Sequence, residues 1–536
     1  RQMCIRDRSG SVNPVFSKSC PDVAPPTWPH VYLKLPRYKV TEVDSMEWEP
    51  VIGLEVHAQL LTKSKMFCTC PANYQESAPN STVCPVCLAM PGVLPVINQQ
   101  AVEFVIMTGL ALNCSIAEFA QFDRKRYSYP ALMKGYQISQ YENPISYDGW
   151  LTVERDGKQQ KVGVTRAHLE EDVAKLQHSR DGAGAGFALM DVNRAGVPLM
   201  EVVGEPDLRT ADEAREYMTK LRSILRYIGV SPEDMDQGSF RSDANVSVRP
   251  KGSLGYGTKV EVKNMNSFRS VHDSIEYELV RQVKLLEEGG HVEQETRGWD
   301  ENRAVTVSQR SKEYANDYRY LPEPDLPPLL ISREWVGEVQ AKLPELPDSR
   351  FERFRNTYGL SEYDVSLLMA AKPTADFFED ALKTCHLDGD ALSKRAKVLA
   401  NLVNSELTRL MNQSGLDITE SKVMPSNLAE LTDLLDARTI SSTQAKEVLE
   451  EMFNTGDAPG KVVKAKGISQ LTDSSTVLPA VQEALASNPQ AVEDYINGKE
   501  SAVKFLVGQA MKISKGKADP ALVNQLLAKQ LSEKKQ

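Results

Sequence analysis

Glu55 and His57 sit two residues apart in the run Val51-Ile52-Gly53-Leu54-Glu55-Val56-His57-Ala58-Gln59-Leu60, which alternates apolar and polar residues. Alternation at period two means a strand, and side chains at i and i+2 leave a strand on the same face, about 7 Å apart. A carboxylate and an imidazole therefore point the same way, and both are candidates for catalysis and for contact with a cation. Just downstream, Cys68, Cys70, Cys84 and Cys87 form C-x-C followed by C-x-x-C. Two close thiolate pairs joined by a short loop can close a tetrahedral zinc site. Such a closed set leaves no open coordination position, so a structural zinc is expected.

Two further stretches are dense in charge. In Thr165–Asp172, alternation puts His168, Glu170 and Asp172 on one face and Glu171 on the other, without saying which face is the site. In Phe240–Arg249, Arg241, Asp243, Asn245, Ser247 and Arg249 share a face, and in the following strand Lys259, Glu261 and Lys263 do the same. Lysine and arginine neutralise phosphates, and carboxylates hold hard cations such as magnesium, so the pair resembles the floor of a nucleoside-triphosphate site. The competing reading is a solvated sheet face with cross-strand ion pairs. Asn264, Asn266 and Ser267 are poor strand residues and favour a site. Gln121–Ile145 interleaves Arg124, Lys125, Arg126 and Lys134 with Tyr127, Tyr129, Tyr136 and Tyr141, a mixture suited to phosphate neutralisation and base stacking or, equally, to a strand pair with a packed tyrosine face.

The elements that must position these residues follow from periodicity and turn chemistry. Leu151–Gln177 reads as two strands joined at Arg155-Asp156-Gly157, an Asp-Gly hairpin turn. The Gly-rich piece Asp181–Gly186 reads as a hairpin loop rather than a phosphate cradle. Helices are expected over Gln99–Leu112, over Thr210–Gly229 with Thr210 as N-cap and Glu213 as capping-box partner, and over Val271–Glu288. The fold class is α+β, mainly an antiparallel sheet, over residues 46–333. From Glu334 helical spacing takes over, with a helical domain over 334–418 and a small helical tail domain over 419–536. Residues 1–45 are Pro-rich and aperiodic. They open on RQMCIRDR, which resembles translated adaptor read-through, and are set aside as an artefact or an unstructured extension.

With 536 residues, 41% apolar and 25% charged, the chain can hold several globular domains. The net charge of -10 argues against a generic basic nucleic-acid binder but leaves room for a local basic patch. The last segment supplies one: Lys512, Lys515 and Lys517, with further lysines nearby, are candidates for phosphate-backbone contact or form a solvated tail. Eight cysteines, four of them clustered, suit a reducing compartment and a metal site better than a disulfide scaffold. No stretch is apolar enough to cross a membrane or to read as a secretory signal, and a cytoplasmic location is expected.

The motifs IGLEVHAQL, SKMFC, PGVLPVIN, KGYQISQYE, HLEED, DVNRAGVPLMEVV, GSFRSDANVSVRP, EVKNMNSF and YRYLPEPDLPPL, in that order, resemble the GatB family, the B subunits of tRNA-dependent glutamyl/aspartyl amidotransferases. The tail run Lys512–Pro520 is similar to that family's tail domain, and the resemblance runs from about Met46 to the C-terminus. It implies a cradle domain related to glutamine synthetase and guanido kinases. It implies a component of an ATP-dependent carbon–nitrogen ligase that activates the side-chain carboxylate of Glu-tRNA(Gln) or Asp-tRNA(Asn). Ammonia would come through a channel from a glutamine-hydrolysing amidase subunit, with a further small subunit completing a heterotrimer. On this reading ATP, Mg2+ and a structural Zn2+ are the cofactors. Glu55, His57, Glu170, Glu171, Asp243 and Glu261 are the catalytic candidates. Glu55, His57, Glu171 and Glu261 would hold magnesium, and Arg241 and Lys263 the phosphates. Ala131-Leu132-Met133 stands where a more polar stretch is expected. A non-catalytic zinc-ribbon RNA-binding adaptor is the alternative, and a stand-alone acid–ammonia ligase is disfavoured by the added helical regions.

Overall fold

A computed structural model describes residues 3–4, 48–180, 186–232, 235, 238–311, 319–468, 474–496, 499, 501–514, 518 and 520–535. Met3–Cys4 pairs with Leu189 and Met190, and the rest of the 1–45 segment set aside above lies outside the described residues. Two compact units divide the chain, Arg1–Pro344 and Glu345–Gln536. Among the described residues no helix is long and apolar enough to cross a membrane.

Alternating sequences build the first unit around a nine-stranded sheet. In chain order its strands are β1 (Trp48–Gln59), β2 (Ser115–Ile116), β3 (Ser146–Arg155), β4 (Lys158–Glu171), β5 (Pro198–Gly204), β6 (Phe240–Pro250), β7 (Val260–Met265), β8 (Glu295–Asp300) and β9 (Val305–Ser311). The spatial order is β9-β8-β7-β6-β1-β5-β4-β3-β2, so β1 lies at the centre. Every neighbouring pair is antiparallel except β7 with β8. The β3–β4 hairpin turns at Asp156 and Gly157, whose φ values of +53° and +71° are those of the tight turn that matches strand twist. Lys175–Arg180 and Gly186–Asp191 also pair antiparallel, and residues 181–185, expected as a hairpin loop, lie outside the described residues.

One face of the sheet is apolar. Leu54 and Val56 of β1, Val202 of β5, Ala244 and Val246 of β6 and Val262 of β7 are all buried there. Helices α1 (Gln99–Ala111), α2 (Ala211–Tyr227) and α3 (Phe268–Glu287) cover the sheet, and Gln282 of α3 donates to the carbonyl of Val246 at 3.1 Å. Thr210 caps α2 as expected, accepting from the Glu213 amide. The Glu213 carboxylate, however, takes Arg155 and the Arg209 amide instead of closing a capping box on Thr210. Helix α4 (Arg333–Lys342) lies in this unit, where Trp335 and Lys342 both reach Glu103 of α1.

The second unit is helical throughout its described residues, from Pro347–Tyr358 to Pro520–Lys535. One apolar cluster joins residues from Phe354 to Val462, and another joins residues from Val477 to Leu531. Residues on both sides of 418 share the first cluster.

Candidate active site

The other face of the sheet carries the charge. Cross-strand register sets it out in rows, since directly opposite residues share a face. Glu201 of β5 lies opposite both His168 of β4 and His57 of β1, and Arg241 of β6 lies opposite His57 on its other side. In the next row Val203 of β5 and Asp243 of β6 flank Glu55. Asn245 pairs with Glu261 of β7 one step further. These side chains floor a cleft of about 980 Å³, whose walls add Lys125, Tyr127, Tyr129, Tyr141, Arg166 and Tyr320.

The donors form two sets rather than one. His57 Nε2 lies 3.4 Å from Glu170 and 3.6 Å from Glu201. Glu55, Asp243 and Glu261 form the second set, their oxygens all within 4.8 Å of one another. Asn245 donates to Glu55 at 2.8 Å and Thr296 to Glu261 at 2.9 Å. Lys263 bridges Asp243 at 2.5 Å and Glu261 at 3.0 Å. Arg241 meets Asp172 at 3.2 Å, and Gln59 donates to the same carboxylate at 2.7 Å.

The electrostatics follow from this crowding. Burial, then the charge of Glu201, pushes the Glu55 carboxyl above its ordinary value. For His57 burial works the other way, yet Glu201 and Glu170 outweigh it and hold the imidazole up at about 9. Glu201 is itself buried, and His168 and His57 keep its carboxyl well below the usual range. Desolvation opposes the charge of the half-buried Lys263, yet Asp243 and Glu261 raise its pKa. Two acidic sets with cations between them are what polyphosphate and a hard divalent cation require.

Glu171 does not belong here. Alternation sends it to the opposite side of β4 from Glu170, where it is ion-paired with Lys134 and accepts from the Ile138 amide at 3.1 Å. It lines a separate cavity of about 200 Å³ beside Phe67, Cys68 and Cys87. Glu171, expected among the magnesium ligands, thus lies away from the cleft that Glu170 and Glu201 line, and the carboxylates expected in one gathering fall into two sets. Glu201 was missed because the strand Pro-Leu-Met-Glu-Val-Val-Gly reads as a buried apolar run. The signal was the lone charge within it, which such a strand tolerates only with partners. His168, Glu170 and Asp172, which alternation puts on one face, all line the cleft, and so does Lys125.

Asn264 and Asn266 line the cleft as expected, and two of the poor strand residues also have local causes. Asn264 adopts φ +64° where the β6–β7 register slips, and Ser267 caps α3 by accepting from the Ser270 amide. In the basic-aromatic stretch Arg124 is taken up by Glu323 and lies over Tyr136, while Lys125 and three tyrosines reach the cleft. Ala131 packs with Ala174, Val192 and Ala195, which accounts for its apolar character.

The four cysteines converge as their spacing predicts. Cys87 Sγ lies 3.6, 3.7 and 4.0 Å from the sulfurs of Cys68, Cys84 and Cys70. Tetrahedral zinc with Zn–S bonds of about 2.3 Å places sulfurs about 3.8 Å apart, so the set fits that ion. A hydrogen bond from Cys68, aided by the buried Lys65 ammonium at 3.6 Å, holds the Cys87 thiol far below its ordinary range. In the tail, Lys512 lies on the helix Ser501–Ile513, and Lys515 and Lys517 lie outside the described residues.

Comparison with known proteins agrees with this architecture. The GatB/GatE catalytic domain matches residues 50–337 and the GatB domain residues 376–531. A protein of Dehalococcoides mccartyi (strain CBDB1), named as the B subunit of an aspartyl/glutamyl-tRNA(Asn/Gln) amidotransferase, is 54% identical over 489 residues, covering 91% of this chain and 99% of its own. Proteins of the same name from Carboxydothermus hydrogenoformans and Moorella thermoacetica are each 51% identical, over 91% of this chain and 99% and 100% of theirs. With the charged sheet face, the cysteine set and near full-length identity in agreement, the chain belongs to the family of aspartyl/glutamyl-tRNA(Asn/Gln) amidotransferase B subunits.

Proposed function

We propose that the cleft on β1 activates the side-chain carboxylate of glutamate or aspartate esterified to tRNA, using ATP, and then amidates it. The observation that carries this reading is the pairing of two carboxylate sets with Arg241 and Lys263 on one sheet face, with Lys125 on the wall beside it. The γ-phosphoryl group of ATP passes to a carboxylate oxygen of the substrate, giving an acyl phosphate and ADP. Ammonia attacks the acyl carbon, loses a proton, and phosphate leaves with the C–O bond electrons. Lys263 and Arg241 neutralise phosphate oxygens, and Lys125 serves the same charge from the wall. Magnesium fits the hard donors of the two sets, with Glu55, Asp243 and Glu261 holding one position and His57, Glu170 and Glu201 another. When bound it supplies charge neutralisation on the phosphates.

The fold of this unit is the cradle related to glutamine synthetase and guanido kinases, and Cys68, Cys70, Cys84 and Cys87 hold a structural zinc. An amidase subunit and a further small subunit complete a heterotrimer, and Lys512, Lys515 and Lys517 contact the tRNA backbone. A zinc-bearing RNA adaptor would have no need of carboxylates clustered beside the cations, which disfavours that alternative. The test is amidation by the chain co-purified with its partner subunits, given mischarged tRNA, ATP and glutamine. Gln-tRNA or Asn-tRNA is expected as product, and its absence overturns the reading. In the same assay Glu55→Gln is expected to lower amidation about a hundredfold or more while the partner's glutaminase activity survives.

A further inference from the structure

We infer that His168 is a positioning residue that fixes the orientation of Glu201 for cation binding, an inference that rests on the reading of the cleft above. His168 borders the cleft but is only 1% exposed, and it stands outside the donor set of His57, Glu170 and Glu201. Its Nε2 lies 3.3 Å from Glu201 Oε2, on the strand directly opposite in register. His57 Nε2 approaches that same oxygen from the other neighbouring strand at 3.6 Å. The two imidazoles thus grip one carboxylate from either side, but they are not equivalent. His57 is part of the donor set with Glu170 and Glu201, and its side chain is 20% exposed to the cleft. A cation that takes His57 Nε2 removes that nitrogen from Glu201. His168 is then the imidazole left to keep the carboxylate from rotating.

The other ring nitrogen supports this assignment. His168 Nδ1 is buried and meets no hydrogen-bonding partner in the protein. A buried N–H left without a partner is costly, so the proton belongs on Nε2, where Glu201 accepts it. The ring is held in place from one end only, and its polar function is directed wholly at Glu201. Groups that orient a metal ligand in this way commonly contribute about 10- to 100-fold in metal affinity.

The test compares His168→Gln with His168→Asn in the full chain purified with its partner subunits. The glutamine amide nitrogen falls near the position of Nε2, whereas the asparagine amide falls near Nδ1 and does not reach Glu201. Mn2+ is the probe, titrated by electron paramagnetic resonance in the absence of ATP and tRNA. His168→Asn is expected to weaken Mn2+ binding about tenfold or more, and His168→Gln to stay within about threefold of the unmodified chain. Melting temperature checks that both variants are folded. If the asparagine variant is not, His168→Leu carries the same comparison. Equal losses in the glutamine and asparagine variants, or no loss in either, overturn the role of His168 while leaving the cleft reading intact. Absence of Mn2+ binding by the unmodified chain overturns both.

Discussion

Glu201 links the two halves of the charged floor. It is buried, it meets two histidines, and its charge reaches Glu55 in the neighbouring donor set. The consequence is most testable at His57. Burial favours its neutral form, but Glu201 and Glu170 hold its proton to about 9. A cation ligand must be deprotonated, so at neutral pH a metal has to displace that proton. Mn2+ affinity in the cleft is therefore expected to climb with pH, by up to about tenfold per unit, and to level off above about 9. The sign is fixed by the direction of the shift: a raised pKa puts the competing proton at and above neutrality. Mn2+ titrations at several pH values read this directly, and a flat profile between pH 7 and 9 would remove His57 from the ligand set.

At the scale of elements, strict alternation on β1, β6 and β7 gives the sheet one polar and one apolar face, and α1 to α3 close the apolar one. How tightly they close it shows at Gly109, on the apolar stripe of α1. A Cβ there would come within 2.2 Å of Ser146 Oγ and 2.9 Å of Ile116 Cδ1. In an open helix Gly→Ala gains up to about 1 kcal/mol. Here the added methyl must push β3 and β2 away, and overpacking of this kind costs about 1–3 kcal/mol. Gly109→Ala is accordingly expected to lower the chain's thermal midpoint, measured by calorimetry. A rise would show that the helix and sheet separate easily.

For the whole molecule, the useful fact is that each unit has its own apolar core. In the second, Phe354, Phe378, Leu399, Val403, Leu431 and Val448 are fully buried, and Arg350 and Arg395 are paired with acids of the same unit. A unit with a closed core and internally paired charges can fold alone. The fragment 345–536 is expected to be helical by circular dichroism and to unfold cooperatively in urea. A non-cooperative, molten fragment would mean that the first unit is required to complete that core.

Residue order alone determined β1, the β3–β4 hairpin with its Asp156-Gly157 turn, β6 and β7, the helix over α2 with its Thr210 cap, the cysteine set and the shared face of Glu55 and His57. Each of these depends on spacing of a few residues, which local periodicity carries. It did not determine which carboxylates meet. Glu170 and Glu171 are adjacent in the chain, and only the packing of β4 against β5, with Lys134 taking the opposite side, decides that one faces the cleft and the other a separate cavity. Glu201 and His57 are brought together by antiparallel register between strands far apart in the chain, and no local pattern encodes that register. Which helices of the second unit share a core is likewise a property of contacts between distant segments rather than of helix spacing.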